Sequence, residues 1–228
     1  AYALEAIAVL RDAGFPSAGD LKTRASASAQ AMLTRSGLTR DQRAGLAAAL
    51  VRFGYDRGAD LNVLFRERDL LSTPALARIL RAACLAGRGA LKDDLLESLR
   101  ARRRPADAAS PFLGVPRDPW LGDDQETTAL VLLAYQAAEA RADEQEALVK
   151  ALRRVQVTRG CVHVRAVTAT ALALARHVGG TGAADVAGTV TVTIDGKSLP
   201  PVRLDGRTPR AVIEIGRASC RERVCYVV

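Results

Sequence analysis

Apolar residues recur along the first 178 positions at the three-to-four-residue spacing of helices that bury one face. Tyr2, Leu4, Ile7, Ala8 and Leu10 form such a stripe, and the Gly14 that follows suits a C-terminal cap. Leu21 to Leu33 is polar and rich in Ala and Ser, the pattern of an outer helix. Thr39 predicts an N-cap with Asp41 and Gln42 in the first turn, ahead of Leu46, Ala49, Leu50 and Phe53 and a stop at Gly54. Ser72 or Thr73, with Pro74 at the first helical position, predicts a helix through Leu76, Ile79, Leu80 and Leu85 that ends at Gly87. Leu91 to Arg103 reads as its charged partner. Pro105, Pro111, Pro116 and Pro119 bar a continuous helix through Ala106 to Gly122, which is expected to be a connecting loop. Beyond it, Glu126 to Ala140 is strongly apolar, Asp143 to Val155 is amphipathic and charged, and Val164 to Val178 is apolar again before Gly179 and Gly180.

The segments therefore alternate. YALEAIAVL, ALARILRAACLAG, TTALVLLAYQAA and VTATALALARHV share small residues interleaved with Leu, as helices surrounded by other helices need, whereas their partners carry Arg, Asp and Glu on one face. Two layers of helices satisfy both patterns. After Gly180 the period changes: Thr189 to Ile194 alternates, Asp195-Gly196 is a hairpin signal, Pro201 to Leu204 returns as a short strand, and Val212 to Ile213 begins a third.

Charge and cysteine content alter this picture little. The 228 residues include 33 Lys and Arg against 25 Asp and Glu, a net charge of +8. The Arg are scattered among acids on helix faces instead of grouped with aromatics, which make up only 4% of the chain, so nucleic acid is not an expected partner. The densest basic group, Arg100, Arg102, Arg103 and Arg104, falls at a helix end, where cations suit the negative end of the dipole. No apolar run is long enough to predict insertion into a membrane. The chain opens at Ala1 inside an apolar pattern, so the natural protein is expected to extend upstream. Residues 214 to 228 are set aside as a non-native tail, because Glu214 to Val224 (EIGRASCRERV) resembles the translation of a sequencing-library adapter. That removes Cys220 and Cys225 and leaves Cys84 and Cys161 as small apolar residues with no disulfide or zinc spacing.

Three groups are candidates for chemistry. Asp123, Asp124 and Glu126 precede an apolar helix, and Asp124 to Ala129 falls in the frame of the Asp-x-Asp-Asp-Thr-Ala acid motif of toroidal terpene cyclases, with Thr127 in place of the third acid. An N-terminal cap with acids near the positive helix end accounts for the same residues. His163 follows Cys161 by two positions, and His177 lies in a last helical turn, where a cation is favoured. No catalytic, cofactor-binding or metal-binding residue is assigned.

The run DDQETTALVLLA (Asp123 to Ala134), an amphipathic helix, then VTATALALA (Val167 to Ala175) is similar to the closing helical hairpins of the thioester domain in the alpha-2-macroglobulin family. AYALEAIAVLRDAG (Ala1 to Gly14) resembles an earlier inner helix, Trp120 before Glu126-Thr127-Thr128 fits the same pattern, and DVAGTVTVTIDGKSL (Asp185 to Leu199) resembles the exit into the next β module. The resemblance implies a mainly α fold, an alpha/alpha toroid present as an incomplete ring of helical hairpins over residues 1 to 180. The start of a β-sandwich-like domain would follow over 185 to 213. It implies a structural and docking unit of a bacterial protease trap, an endopeptidase inhibitor and not an enzyme. Its partners would be proteases, met through the full-length parent, and neighbouring β domains of the same chain, in the periplasm, cell envelope or outside the cell, with no cofactor. The family's Cys-Gly-Glu-Gln thioester segment is absent: Cys84 is followed by Leu85 and Cys161 by Val162. A turn that usually reads Ser-Thr-Gln is Val164, Arg165, Ala166 here. A terpene-cyclase-like enzyme and a helical-repeat scaffold are the alternative expectations.

Overall fold

The computed structural model describes residues 4, 6–8, 18–105, 110–112, 123–159, 164–180, 188–191, 193–194, 197–198 and 201–204. The expectations for Trp120, Cys161, His163, the Asp195-Gly196 turn, Val212 to Ile213 and the tail lie outside the described residues. The chain divides into two compact units, Ala1–Leu174 and Ala175–Val228.

The described residues are mainly helical. The helices are α1 (Ala18–Leu33), α2 (Arg40–Arg52), α3 (Gly58–Arg66), α4 (Thr73–Leu85), α5 (Gly89–Ala101), α6 (Asp124–Ala137), α7 (Ala142–Arg159) and α8 (Val164–Gly180), with a 3-10 turn at Arg68–Leu70. In the first unit every second helix is a neighbour: α4 packs between α2 and α6, while α1 and α3 lie on α2, α5 on α4 and α7 on α6. The buried side chains follow this order. Ala44, Ala47, Ala48 and Val51 of α2, Leu76, Ile79, Leu80 and Ala83 of α4 and Val131 to Ala134 of α6 share one apolar core with Leu95 and Leu99 of α5 and Leu148 and Leu152 of α7. A second cluster joins Leu4, Ala8, Ala29 and Leu33 to Leu46, Leu50 and Phe53. Within the proline-rich stretch, Ser110 and Phe112 are buried; Phe112 is a fully enclosed plug in the main core.

The termini distinguish the two kinds of helix. The side chains of Thr39, Ser72 and Asp123 accept backbone N–H groups at the starts of α2, α4 and α6, and Thr39 forms a reciprocal capping box with Gln42. The N-caps of α3 and α5, Arg57 and Arg88, make no such bond. The other ends of α2, α4 and α6 share a Schellman closure. The N–H of Tyr55 donates to Leu50 O, that of Arg88 to Ala83 O and that of Ala140 to Tyr135 O, each over five residues. Just before these donors lie residues at positive φ: Gly54 (87°), Gly87 (67°) and Glu139 (54°). The repeated cap-and-stop design gives α2, α4 and α6 nearly equal lengths of 13, 13 and 14 residues.

Residues 57 to 71, for which the sequence names no element, hold α3 and the 3-10 turn, because Leu61 and Leu64 are fully buried at helical spacing. The basic group falls at the end of α5, as expected, and Arg100 and Arg102 are also tied to neighbouring elements. Arg100 makes a two-pronged bond to Glu144 of α7, both contacts at 2.8 Å. Arg102 donates to Leu71 O at 2.6 Å and Arg68 O at 2.9 Å, closing the 3-10 turn against α5.

In the second unit two antiparallel pairs are nested: Gly188–Val190 (β1) with Val202–Leu204 (β4), and Thr193–Ile194 (β2) with Lys197–Ser198 (β3).

Candidate functional site: a buried carboxylate between two arginines

α6 owes its start to Asp123, whose Oδ1 accepts the Gln125 N–H at 2.6 Å. That cap fixes the first turn so that Gln125, Glu126, Thr127 and Thr128 all point inward and are buried. Asp123 is the capping acid that the sequence predicts. Glu126 has a different role from a helix-end acid in solvent: its side chain is only 4% exposed. Arg165 Nη2, in the first turn of α8, donates to Glu126 Oε2 at 2.9 Å, and Arg78 Nη2, in α4, lies 3.5 Å from Oε1. One carboxylate thus joins three alternate helices. Taking such a charge out of water costs several kcal/mol, and it is retained only where opposite charge and hydrogen bonds offset the loss. The positive end of α6 adds to that offset.

Further polar contacts extend the junction. Gln125 Nε2 donates to Thr170 Oγ1 at 3.3 Å, and Gln136 Nε2 donates to Ala173 O at 2.9 Å, both between α6 and α8. The Ser72 N–H donates to Asp41 Oδ1 at 3.1 Å, tying the start of α4 to the start of α2. Start therefore meets start, and α2, α4, α6 and the described first part of α8 run the same way.

Arg78 also lines a small cleft with Ala48 and Arg52 of α2, Ala77, Arg81, Ala82 and Leu85 of α4, and Leu130 of α6. Arg81 is 8% exposed, whereas Leu85, at 51%, forms part of the rim. The sequence gives no notice of Arg52, Arg78 or Arg81, because their residue types match the solvated Arg elsewhere and their neighbours come from other helices. A partial signal exists in α4, where Arg78 and Arg81 interrupt an otherwise apolar face.

The remaining candidates do not join this group. Cys84 is a half-buried free thiol, and burial pushes its pKa up. His177 is in the last turn of α8, as expected. Among the described residues no cluster of His, Cys, Asp and Glu has the makings of a metal site, and no helix is long and apolar enough to cross a membrane. No protein-family model matches the chain, and no curated protein is significantly similar to it.

Proposed function

We propose that this chain is a packing and docking domain of an alpha-2-macroglobulin-like protease trap, built as part of an alpha/alpha toroid and followed by a β-sandwich-like module. The observation that carries this reading is the shared direction, capping and closure of α2, α4 and α6, with α3, α5 and α7 on a second layer. A toroid is a ring of helical hairpins whose inner helices are neighbours and run parallel, and the alternation of helices supports that reading. The trap would work in the periplasm, cell envelope or extracellular space, where it would meet proteases.

The geometry of Glu126 favours a structural role over that of a terpene cyclase. Both carboxylate oxygens face guanidinium groups, which leaves neither directed at a substrate. In the cyclase reading Asp124→Asn abolishes turnover; in the trap reading no turnover exists to lose. A direct test uses the intact parent protein and a limiting amount of trypsin. Cleavage should produce a large change in small-angle scattering, and the captured trypsin should lose activity on a large protein substrate. An unchanged scattering profile with trypsin fully active on that substrate refutes the trap.

A further inference from the structure

We propose that α8 is a releasable strap, held on α6 by a polar latch that opens while α2, α4 and α6 stay folded. The side chains that α8 encloses, among the described residues, are small: Ala166, Thr170 and Ala173. By contrast α4 encloses Leu76, Ile79 and Leu80, and α6 encloses Leu132 and Leu133. Leu172 and Leu174 of α8 are only partly buried against the main core. Hydrophobic stabilisation scales with the apolar area removed from water, so α8 gains much less from docking than those helices do. Side-chain bonds to α6 hold it as well: Arg165 to Glu126 at 2.9 Å, Gln125 to Thr170 at 3.3 Å and Gln136 to Ala173 O at 2.9 Å. Bonds of this kind contribute modestly, because water takes over each partner when the helices part.

Breaking a buried ion pair normally strands a charge, which makes such contacts hard to open. Glu126 escapes that penalty, since Arg78 of α4, 3.5 Å from its other oxygen, stays beside it after Arg165 has left. Arg165, already 29% exposed, returns to water at little cost. The boundary between the two compact units falls inside α8, after Leu174. Opening the latch therefore frees the stretch through which the chain passes into the second unit, a conformational change carried by one helix. This inference is independent of the trap reading, since it uses only the burial and contacts of α8.

Hydrogen exchange on the full chain, followed by mass spectrometry, tests it. An undocked helix of 17 residues is marginal in water, so opening exposes the amides of α8. Relative to their unfolded rates, amides in residues 166 to 174 should exchange at least about a hundred-fold faster than those of α4 and α6. Low urea should accelerate α4 and α6 steeply and α8 little, because a local opening uncovers little surface. Arg165→Gln should accelerate α8 about five-fold more, at unchanged helical circular dichroism. Exchange of α8 at the rate of α4 and α6, an equal urea dependence, or no response to Arg165→Gln would each overturn the proposal.

Discussion

Glu139 occupies at the end of α6 the position that Gly54 and Gly87 occupy after α2 and α4. Its φ of 54° lies in the left-handed region, where a side chain brings Cβ too close to the following carbonyl. Glycine relieves that contact but gives up more freedom on folding. The balance predicts that Glu139→Gly stabilises the chain by about 1 kcal/mol, read as a higher urea midpoint at unchanged slope. A lower midpoint would show that the Glu139 side chain contributes more than its backbone costs. Ala in place of Gly54 should shift the midpoint the other way by a similar amount. Residue-scale chemistry of this kind was legible in advance: Thr39, Ser72, Asp123, Gly54 and Gly87 act within a few positions of their own helix, and all five do what their residue type predicts. Glu139 was not legible, because nothing in its type marks it for positive φ.

Between elements, legibility falls. The inner helices were readable from Ala and Leu spacing, yet α3 was not: its N-cap residue Arg57 makes no cap bond, the Gly58 N–H going instead to Asp56 Oδ1, and it has only Leu61 and Leu64 as fully buried large residues. Glu126 sits in a first turn, where acids are common, and its partners Arg78 and Arg165 lie on two other helices. Only the packing of α4, α6 and α8 turns a helix-end acid into a junction. Glu126→Gln removes the charge that both arginines face, so it should cost roughly 3 kcal/mol of stability in urea unfolding. Arg165→Gln should cost less, because Arg165 is 29% exposed and water takes over part of its solvation. Equal, small effects of the two variants would mean that Glu126 does not join the helices energetically.

At the scale of the whole molecule, a part-buried carboxylate and a buried phenol bound the pH range of stability. The two-pronged bond from Arg100 holds the Glu144 carboxyl below the usual glutamate range. Its contribution is complete above the unfolded glutamate value of about 4.3 and is lost as the pH falls through the lower folded value. Burial pushes the Tyr135 phenol up to about 12. The folded state then keeps a proton that the unfolded state has released, so stability declines as the pH climbs from about 10 towards about 12, by on the order of 2 kcal/mol. Urea midpoints measured from pH 3 to 12 should give a plateau with both limbs, and Tyr135→Phe should flatten the alkaline one. An alkaline limb of the same slope in Tyr135→Phe would assign it to other groups.

The likeness of α2, α4 and α6 has a cost during folding. Helices of the same length, with the same caps and the same direction, offer one another's neighbours nearly the same partner. A hairpin released from one copy of the chain finds in a second copy a seat almost as good as its own, and repeat architectures characteristically misassemble in this way. Refolding at high concentration should therefore yield exchanged dimers and longer chains of them, held by native contacts made between molecules.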